Sequence, residues 1–112
     1  MSDLTTKKCK PCEGGVAPLT KTQTEQFLQQ LSQWQLTSDS KTIYCDFQFK
    51  NFYQTMSFVN AVAWIANQEN HHPDLEVGYK HCLVCYSTHA INGLSENDFI
   101  CAAKVNKLLE DS

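Results

Sequence analysis

Apolar and polar residues alternate along TIYCDFQF, residues 42–49, and this is the clearest pattern in the chain. In an extended backbone Ile43, Cys45, Phe47 and Phe49 share one face, while the residues between them share the other. Such alternation predicts a β-strand with one face against a hydrophobic core. The same interpretation extends to three other runs that are rich enough in strand-forming residues, at 34–39, 75–79 and 81–88.

Three other segments have helical spacing of their apolar residues, and each begins with a capping signature. The capping pairs are Thr20 with Gln23, Asn51 with Gln54, and Ser95 with Asp98. The apolar faces predicted for the three helices are Phe27, Leu28 and Leu31; Phe52, Met56, Val59, Ala63 and Ala66; and Phe99, Ala102, Ala103 and Leu109.

Together these elements predict the order α-β-β-α-β-β-α. That order is typical of an α+β domain in which three helices cover one face of a four-stranded antiparallel sheet. An open sheet of this kind leaves unpaired edge strands, which proteins cover or pair with another copy. We therefore expect a homo-oligomer.

Length and charge narrow the class of protein. A chain of 112 residues is long enough for one domain, and we assign residues 1–18 to a flexible leader and 19–112 to the domain. The formal net charge is −3 and all nine basic residues are lysines, which argues against nucleic-acid binding. No apolar run is long enough to span a membrane. We expect a cytoplasmic protein with a small, nearly neutral ligand.

Six cysteines raise the question of a zinc site, because Cys9 with Cys12 and Cys82 with Cys85 form two C-x-x-C pairs. Cys82 and Cys85 would point to opposite faces of the predicted fourth strand, so they cannot share one metal ion. We interpret Cys45, Cys82, Cys85 and Cys101 as small apolar residues in a reducing compartment. The leader pair is either a labile metal or redox pair or part of a mobile tail.

Two of the four histidines are adjacent, in NHHPDLEVGY. His71 and His72 follow the second predicted helix, and Pro73 biases the residue before it toward an extended backbone. His89 ends the predicted fourth strand, and a hairpin of strands three and four would bring all three rings together. The alternative is that the adjacent pair only complements the helix dipole. We interpret His81 as an ordinary surface residue.

Three kinds of chemistry are compatible with such a cluster. A metal site would need further ligands, for which Asp74, Glu76 or Asp98 are available. Nucleophilic catalysis would need Ser87 or Cys85, but no nucleophile-elbow pattern is present. General acid–base catalysis needs only imidazoles that exchange protons near neutral pH, so it requires the fewest additional residues of the three.

Four motifs, in this order, resemble the pterin-4a-carbinolamine dehydratase family, also called 4a-hydroxytetrahydrobiopterin dehydratase. They are CKPCEGGVAPL at 9–19, HHPDLEVGY at 71–79, STH at 87–89 and GLSENDF at 93–99. The leader motif is similar to that of bacterial-type members. The resemblance covers residues 9–109, nearly the whole chain.

The resemblance implies a hydro-lyase whose substrate is the 4a-hydroxytetrahydropterin left when an aromatic amino acid hydroxylase turns over. Its products would be water and quinonoid dihydropterin, so the enzyme would help recycle tetrahydrobiopterin, with phenylalanine hydroxylase as a functional partner. The resemblance also implies a homodimer or homotetramer, and no cofactor or metal. The alternative is a non-catalytic role as a protein-binding or transcription cofactor through the helical face.

The resemblance places catalysis on His71, His72 and His89, with the first two as acid/base candidates and the third supporting binding and protonation. We expect the pterin edge to contact Asn70, Pro73, Ser87, Thr88, Ala90 and Ile91. Asn70 has the alternative role of only ending its helix. Asp98 either caps the third helix or orients an imidazole.

Two positions depart from the family pattern. Asn67 stands where many members have an acidic residue, and Leu75 stands where many have Trp. The first departure removes a candidate carboxylate partner for a histidine. The reaction type is therefore better determined than the rate or the pH optimum.

Overall fold

The structure is a computed structural model that describes residues 4–10 and 17–110. It contains three α-helices and four strands in the predicted order, which confirms the α+β fold. Short 3-10 turns lie at Leu4–Thr6 and His89–Ile91. The main elements are α1 at Lys21–Leu28, β1 at Gln35–Leu36, β2 at Ile43–Gln48, α2 at Phe52–Glu69, β3 at Asp74–Val77, β4 at His81–Tyr86 and α3 at Glu96–Glu110.

The sheet has the strand order β1-β2-β4-β3, and each neighbouring pair is antiparallel. Strands β3 and β4 form a hairpin in which Asp74 lies opposite Cys85 and Val77 opposite Cys82. The start of β3 therefore lies beside the end of β4. This register brings the chain just after α2 next to the chain just after β4.

All four strands are shorter than the predicted runs, β1 most of all. β1 covers only two residues of the predicted 34–39 run, because Thr37 N–H donates to Thr42 O at 2.9 Å and begins the turn into β2. β4 ends at Tyr86, and His89 begins a 3-10 turn, so the prediction that His89 ends the strand was wrong. Thr88 instead bridges Gly93, with N–H donating to O at 2.8 Å.

The helix starts agree with the predicted caps. Thr20 and Gln23 form a complete capping box, and the Asn51 side chain accepts the Gln54 N–H at 2.8 Å. Gln54 reaches back to Lys50 N rather than to Asn51 N. The capping signature therefore located the first turn of both helices.

The apolar face predicted for α2 was wrong at two of its five positions, since Ala66 is buried and Met56 and Val59 are half-buried. Phe52 and Ala63 are exposed, whereas the buried positions are Thr55, Phe58, Val62, Ile65 and Ala66. Four of the buried positions each lie one residue before a predicted position, so the buried stripe is turned by roughly one residue step around the helix. Both stripes contain apolar residues, which makes periodicity alone ambiguous here.

The core lies between the sheet and the helices, and α3 supplies its central face. Phe99, Ala102 and Ala103 are buried as predicted, whereas Leu109 is 38% exposed. Residues 4–10 belong to the segment predicted to be a flexible leader. They pack against α3, and Leu4 is only 2% exposed.

Among the described residues, no helix combines the length and apolar character needed to cross a membrane.

Candidate active site

Three of the four histidines line one cavity of about 430 Å³. The cavity lies where the end of α2, the residues after β4 and the leader meet. The β3–β4 hairpin explains the convergence, because it places the residues before β3 beside those after β4. The lining residues are Cys9, Lys10, Glu69, Asn70, His71, His72, Ser87, Thr88, His89 and Ala90.

Asn70 ends α2 in the left-handed conformation, with φ 51° and ψ 43°. Its N–H and that of His71 both donate to Ala66 O, which satisfies this carbonyl of the last helical turn. The reversal turns His71 inward, where it is 8% exposed, and leaves His72 exposed. Asn70 therefore both ends the helix and lines the cavity.

A buried hydrogen-bond network holds His71. Its Nε2 lies 2.6 Å from Asp98 Oδ1, and Asp98 is fully buried. The other oxygen of Asp98 accepts the Ser95 N–H at 2.9 Å and the Thr88 hydroxyl at 2.8 Å. Asp98 thus joins the α3 cap to an imidazole. The contact that caps α3 and the contact with the imidazole are made by the same carboxylate.

The His71 ring stacks on Tyr86, with centroids 6.0 Å apart and an interplanar angle of 8°. Burial raises the pKa of Tyr86, and the neighbouring Cys101, Cys9 and Asp98 raise it further. The phenol therefore stays neutral at physiological pH. Its ring provides a flat surface against which the imidazole packs.

The 3-10 turn after β4 begins at His89, which also lines the cavity. Within this turn the N–H groups of Thr88 and Ile91 already donate to Gly93 O and Thr88 O. These two amides are therefore already paired within the protein. Gly93 is required because a Cβ there would lie 2.8 Å from Pro18 Cβ.

Most of the predicted contact residues lie at the cavity. Asn70, Ser87, Thr88 and Ala90 line it. Pro73 and Ile91 are half-buried and do not belong to the lining set.

Three lining residues were not predicted from the sequence: Cys9, Lys10 and Glu69. The unexplained cysteine motif of the leader was the available signal for the first two. Burial raises the pKa of Glu69, but the Cys9 N–H and Lys104 outweigh it and lower that pKa overall. Glu69 is therefore ionised at neutral pH.

His81, interpreted from the sequence as an ordinary surface residue, lies away from the cavity. It contacts Asp46 at 2.9 Å. Among the described residues, no group of three or more His, Cys, Asp or Glu side chains is arranged to hold a metal ion.

The cysteines of β4 alternate as predicted, since Cys82 is buried and Cys85 is half-buried. Burial raises the pKa of both Cys45 and Cys82 to about 11, with Asp46 adding to the effect. These two thiols are protonated at neutral pH and behave as small apolar side chains. Cys12 lies outside the described residues.

Comparison with known proteins connects this site to a family. A family model described as "Pterin 4 alpha carbinolamine dehydratase" matches residues 17–108. A protein from Nitrosomonas eutropha is 64% identical over 110 residues, covering 96% of this chain and 94% of its own. A protein from Legionella pneumophila is 60% identical over 111 residues and covers 98% of both. Both relatives carry the provisional name pterin-4-alpha-carbinolamine dehydratase.

Solved structures agree with the fold. A transcriptional coactivator/pterin dehydratase from Brucella melitensis matches with a TM-score of 0.78 and 31% identity, covering 81% of this chain and 97% of that one. A pterin dehydratase-like protein identified as a RuBisCO assembly factor in the alpha-carboxysome matches with a TM-score of 0.59 and 21% identity. It covers 67% of this chain and 87% of its own, and it shows likeness of fold alone.

Proposed function

The chain belongs to the pterin-4a-carbinolamine dehydratase family, and we propose that it removes water from 4a-hydroxytetrahydropterin by histidine general acid–base catalysis. The single observation that carries this proposal is the meeting of His71, His72 and His89 at one cavity. The family supplies the substrate class, and the three imidazoles supply proton-transfer groups suited to it.

The reaction needs two proton transfers and no change of oxidation state. The C4a–O bond breaks as one group gives a proton to the departing hydroxyl, which leaves as water. A second group removes the proton from N5, and the C4a=N5 double bond of the quinonoid product forms. One imidazolium and one neutral imidazole exchange protonation states in each turnover, and exchange with solvent resets them.

His71 is the better candidate for the base. A carboxylate accepts hydrogen bonds, so His71 donates its Nε2–H to Asp98. Its second ring nitrogen, Nδ1, is then the one available to accept a proton. A neutral imidazole in this tautomer carries its lone pair on Nδ1. His72 and His89, both exposed at the cavity, then supply the acid and a binding contact.

The proposed physiological role is recycling of the tetrahydrobiopterin cofactor of an aromatic amino acid hydroxylase, with phenylalanine hydroxylase as the functional partner. The five described cysteines are free, which favours the reducing cytoplasm as the location.

The test is dehydratase turnover of purified protein with 4a-hydroxytetrahydropterin generated by a hydroxylase. We expect His72→Ala to lower kcat by about 10²–10⁴-fold, the usual range for loss of an acid/base group. His81→Ala is the matched control, because His81 pairs with Asp46 away from the cavity, and it should retain wild-type kcat. A folded wild type without turnover would rule out the proposal.

A protein-binding role is the second candidate, and exposed aromatic residues favour it. Tyr53 and Trp64 of α2 are 81% and 64% exposed, and an interval of 11 residues places them on one helix face. The Brucella relative is described as a transcriptional coactivator as well as a dehydratase. For this chain, the partner that we expect for such a surface is a second copy of the same protein.

We favour a homodimer through β3, with the homotetramer as the larger alternative. β3 is an edge strand whose four residues are all exposed, including Leu75 and Val77. Phe52 and Tyr79 stack beside it with ring centroids 6.0 Å apart. An exposed apolar edge is suited to pairing with a second copy.

A further inference from the structure

The backbone of leader residues 9–10 is hydrogen-bonded to side chains of the domain. The side-chain amide of Asn97, near the start of α3, accepts the Lys10 N–H at 2.9 Å and donates to Lys10 O at 2.7 Å. Both polar groups of the Lys10 peptide backbone are thus paired by one side chain, as a neighbouring strand would pair them. Asn97 is 6% exposed, so these bonds are shielded from water.

Glu69 provides a second attachment from the end of α2. Its Oε1 accepts the Cys9 N–H at 2.8 Å, and its Oε2 lies 3.3 Å from Lys104 Nζ on α3. The Glu69 side chain is 7% exposed, which makes a charged hydrogen bond stronger than one at the surface. One carboxylate therefore joins the leader, α2 and α3.

The Cys9 side chain continues the attachment inward. Its Sγ lies 3.5 Å from Cys101 Sγ and 3.7 Å from Asn97 O. The hydrogen bond to Cys101, together with burial, raises the pKa of Cys9 above its ordinary value. The thiol is therefore protonated and poorly reactive while the leader is docked.

These attachments matter because Cys9, Lys10 and Glu69 all line the cavity that contains the three imidazoles. We propose that Glu69 is a positioning residue that docks leader residues 9–10 as one wall of this cavity, and thereby sets the affinity for the pterin substrate. The inference rests on the proposed dehydratase function. Glu69 acts through the leader and is not assigned a proton transfer.

The physical reason is a population effect. If substrate binds tightly only while the leader is docked, the apparent dissociation constant rises in proportion as the docked fraction falls. Once substrate and leader are both in place, the imidazoles are arranged as in the wild type. Loss of the Glu69 attachment should therefore raise KM and leave kcat nearly unchanged.

The kinetic experiment compares Glu69→Ala, Glu69→Gln and Lys7→Met. We expect Glu69→Ala to raise KM roughly tenfold with kcat within about twofold of wild type. Glu69→Gln retains an oxygen that can accept the Cys9 N–H but loses the charge facing Lys104, so its KM should be intermediate. Lys7→Met is the matched control, because the Lys7–Glu96 ion pair is exposed, lies outside the cavity and contributes little to docking of the leader, so KM should be unchanged.

A second measurement reports docking of the leader through the reactivity of Cys9 and does not depend on enzyme activity. Site-resolved mass spectrometry of iodoacetamide labelling should show Cys9 reacting roughly tenfold faster in Glu69→Ala than in wild type. Cys45, which is buried in the sheet, is the internal reference and should not change. If Glu69→Ala does not fold, Glu69→Gln and Lys104→Met carry the same comparison.

The outcomes separate the two proposals. Unchanged Cys9 labelling in Glu69→Ala, or a fall in kcat at constant KM, overturns the positioning role. Faster Cys9 labelling combined with a wild type that does not turn over pterin overturns the dehydratase function and the substrate-affinity role, and leaves only the docking contact.

Discussion

At the scale of single residues, Asp98 connects the scaffold to the proposed chemistry. Its two oxygens face different partners, His71 on one side and Ser95 with Thr88 on the other. A fully buried carboxylate is costly unless such partners satisfy it. The same contacts that stabilise the carboxylate therefore fix the orientation of the imidazole.

We expect Asp98→Asn to lower kcat by about 10²–10⁴-fold, because an amide nitrogen placed toward His71 cannot accept the Nε2–H bond and favours the other tautomer. Steady-state kinetics across pH measure this. Ser95→Ala is the control: it removes a hydroxyl that contacts Thr88 and keeps the His71 contact, so kcat should stay near wild type. Equal losses in the two variants would contradict an orienting role for Asp98.

The sequence predicted some residues of this site and missed others. Some site residues could be predicted because each belongs to a local sequence pattern. These are the adjacent histidines, His89, and Asp98 at its capping position. Glu69 could not be predicted in this way, because its partners Cys9 and Lys104 lie far away in the chain and no local spacing indicates them. Contacts of this kind depend on packing of α2 against α3.

At the scale of secondary structure, the left-handed residue at the end of α2 determines where the adjacent histidines point. Asn70 adopts φ 51°, a conformation that Asn and Gly accept and β-branched residues resist. The sequence located this helix end correctly. It did not predict which imidazole would turn inward, since that depends on the reversal itself.

Asn70→Gly should leave the free energy of unfolding within about 1 kcal/mol of wild type, because Gly adopts this conformation without strain. Asn70→Val should lower it by about 1–2 kcal/mol, the cost of a side chain that clashes in this region. Urea unfolding followed by circular dichroism measures both. A Val variant as stable as the Gly variant would show that the helix end relaxes to another conformation.

At the scale of the whole molecule, β3 is the edge where the sheet can continue. The antiparallel order and the hairpin of β3 with β4 were predictable from alternation and short connections. The length of β1 and the stripe buried by α2 were not. Both are decided by tertiary contacts, such as Trp34 Nε1 donating to Asn106 at 2.8 Å beside β1.

We expect Val77→Lys to convert the proposed dimer to a monomer, because a charge on an exposed edge strand opposes strand pairing. Size-exclusion chromatography with light scattering measures the mass. Trp64→Lys alters the exposed face of α2 instead and should leave the dimer intact. Dissociation by Trp64→Lys alone would assign the interface to the helix.

The β3–β4 hairpin also has a consequence for how the protein folds. The connection between Val77 and His81 is short, so closing it costs little chain entropy. The three rings lie on either side of this closure and can gather from local contacts early in folding. The Asp98 carboxylate of α3 and the leader come from distant parts of the chain. We therefore expect the three imidazoles to come together in folding before the Asp98 and leader contacts form.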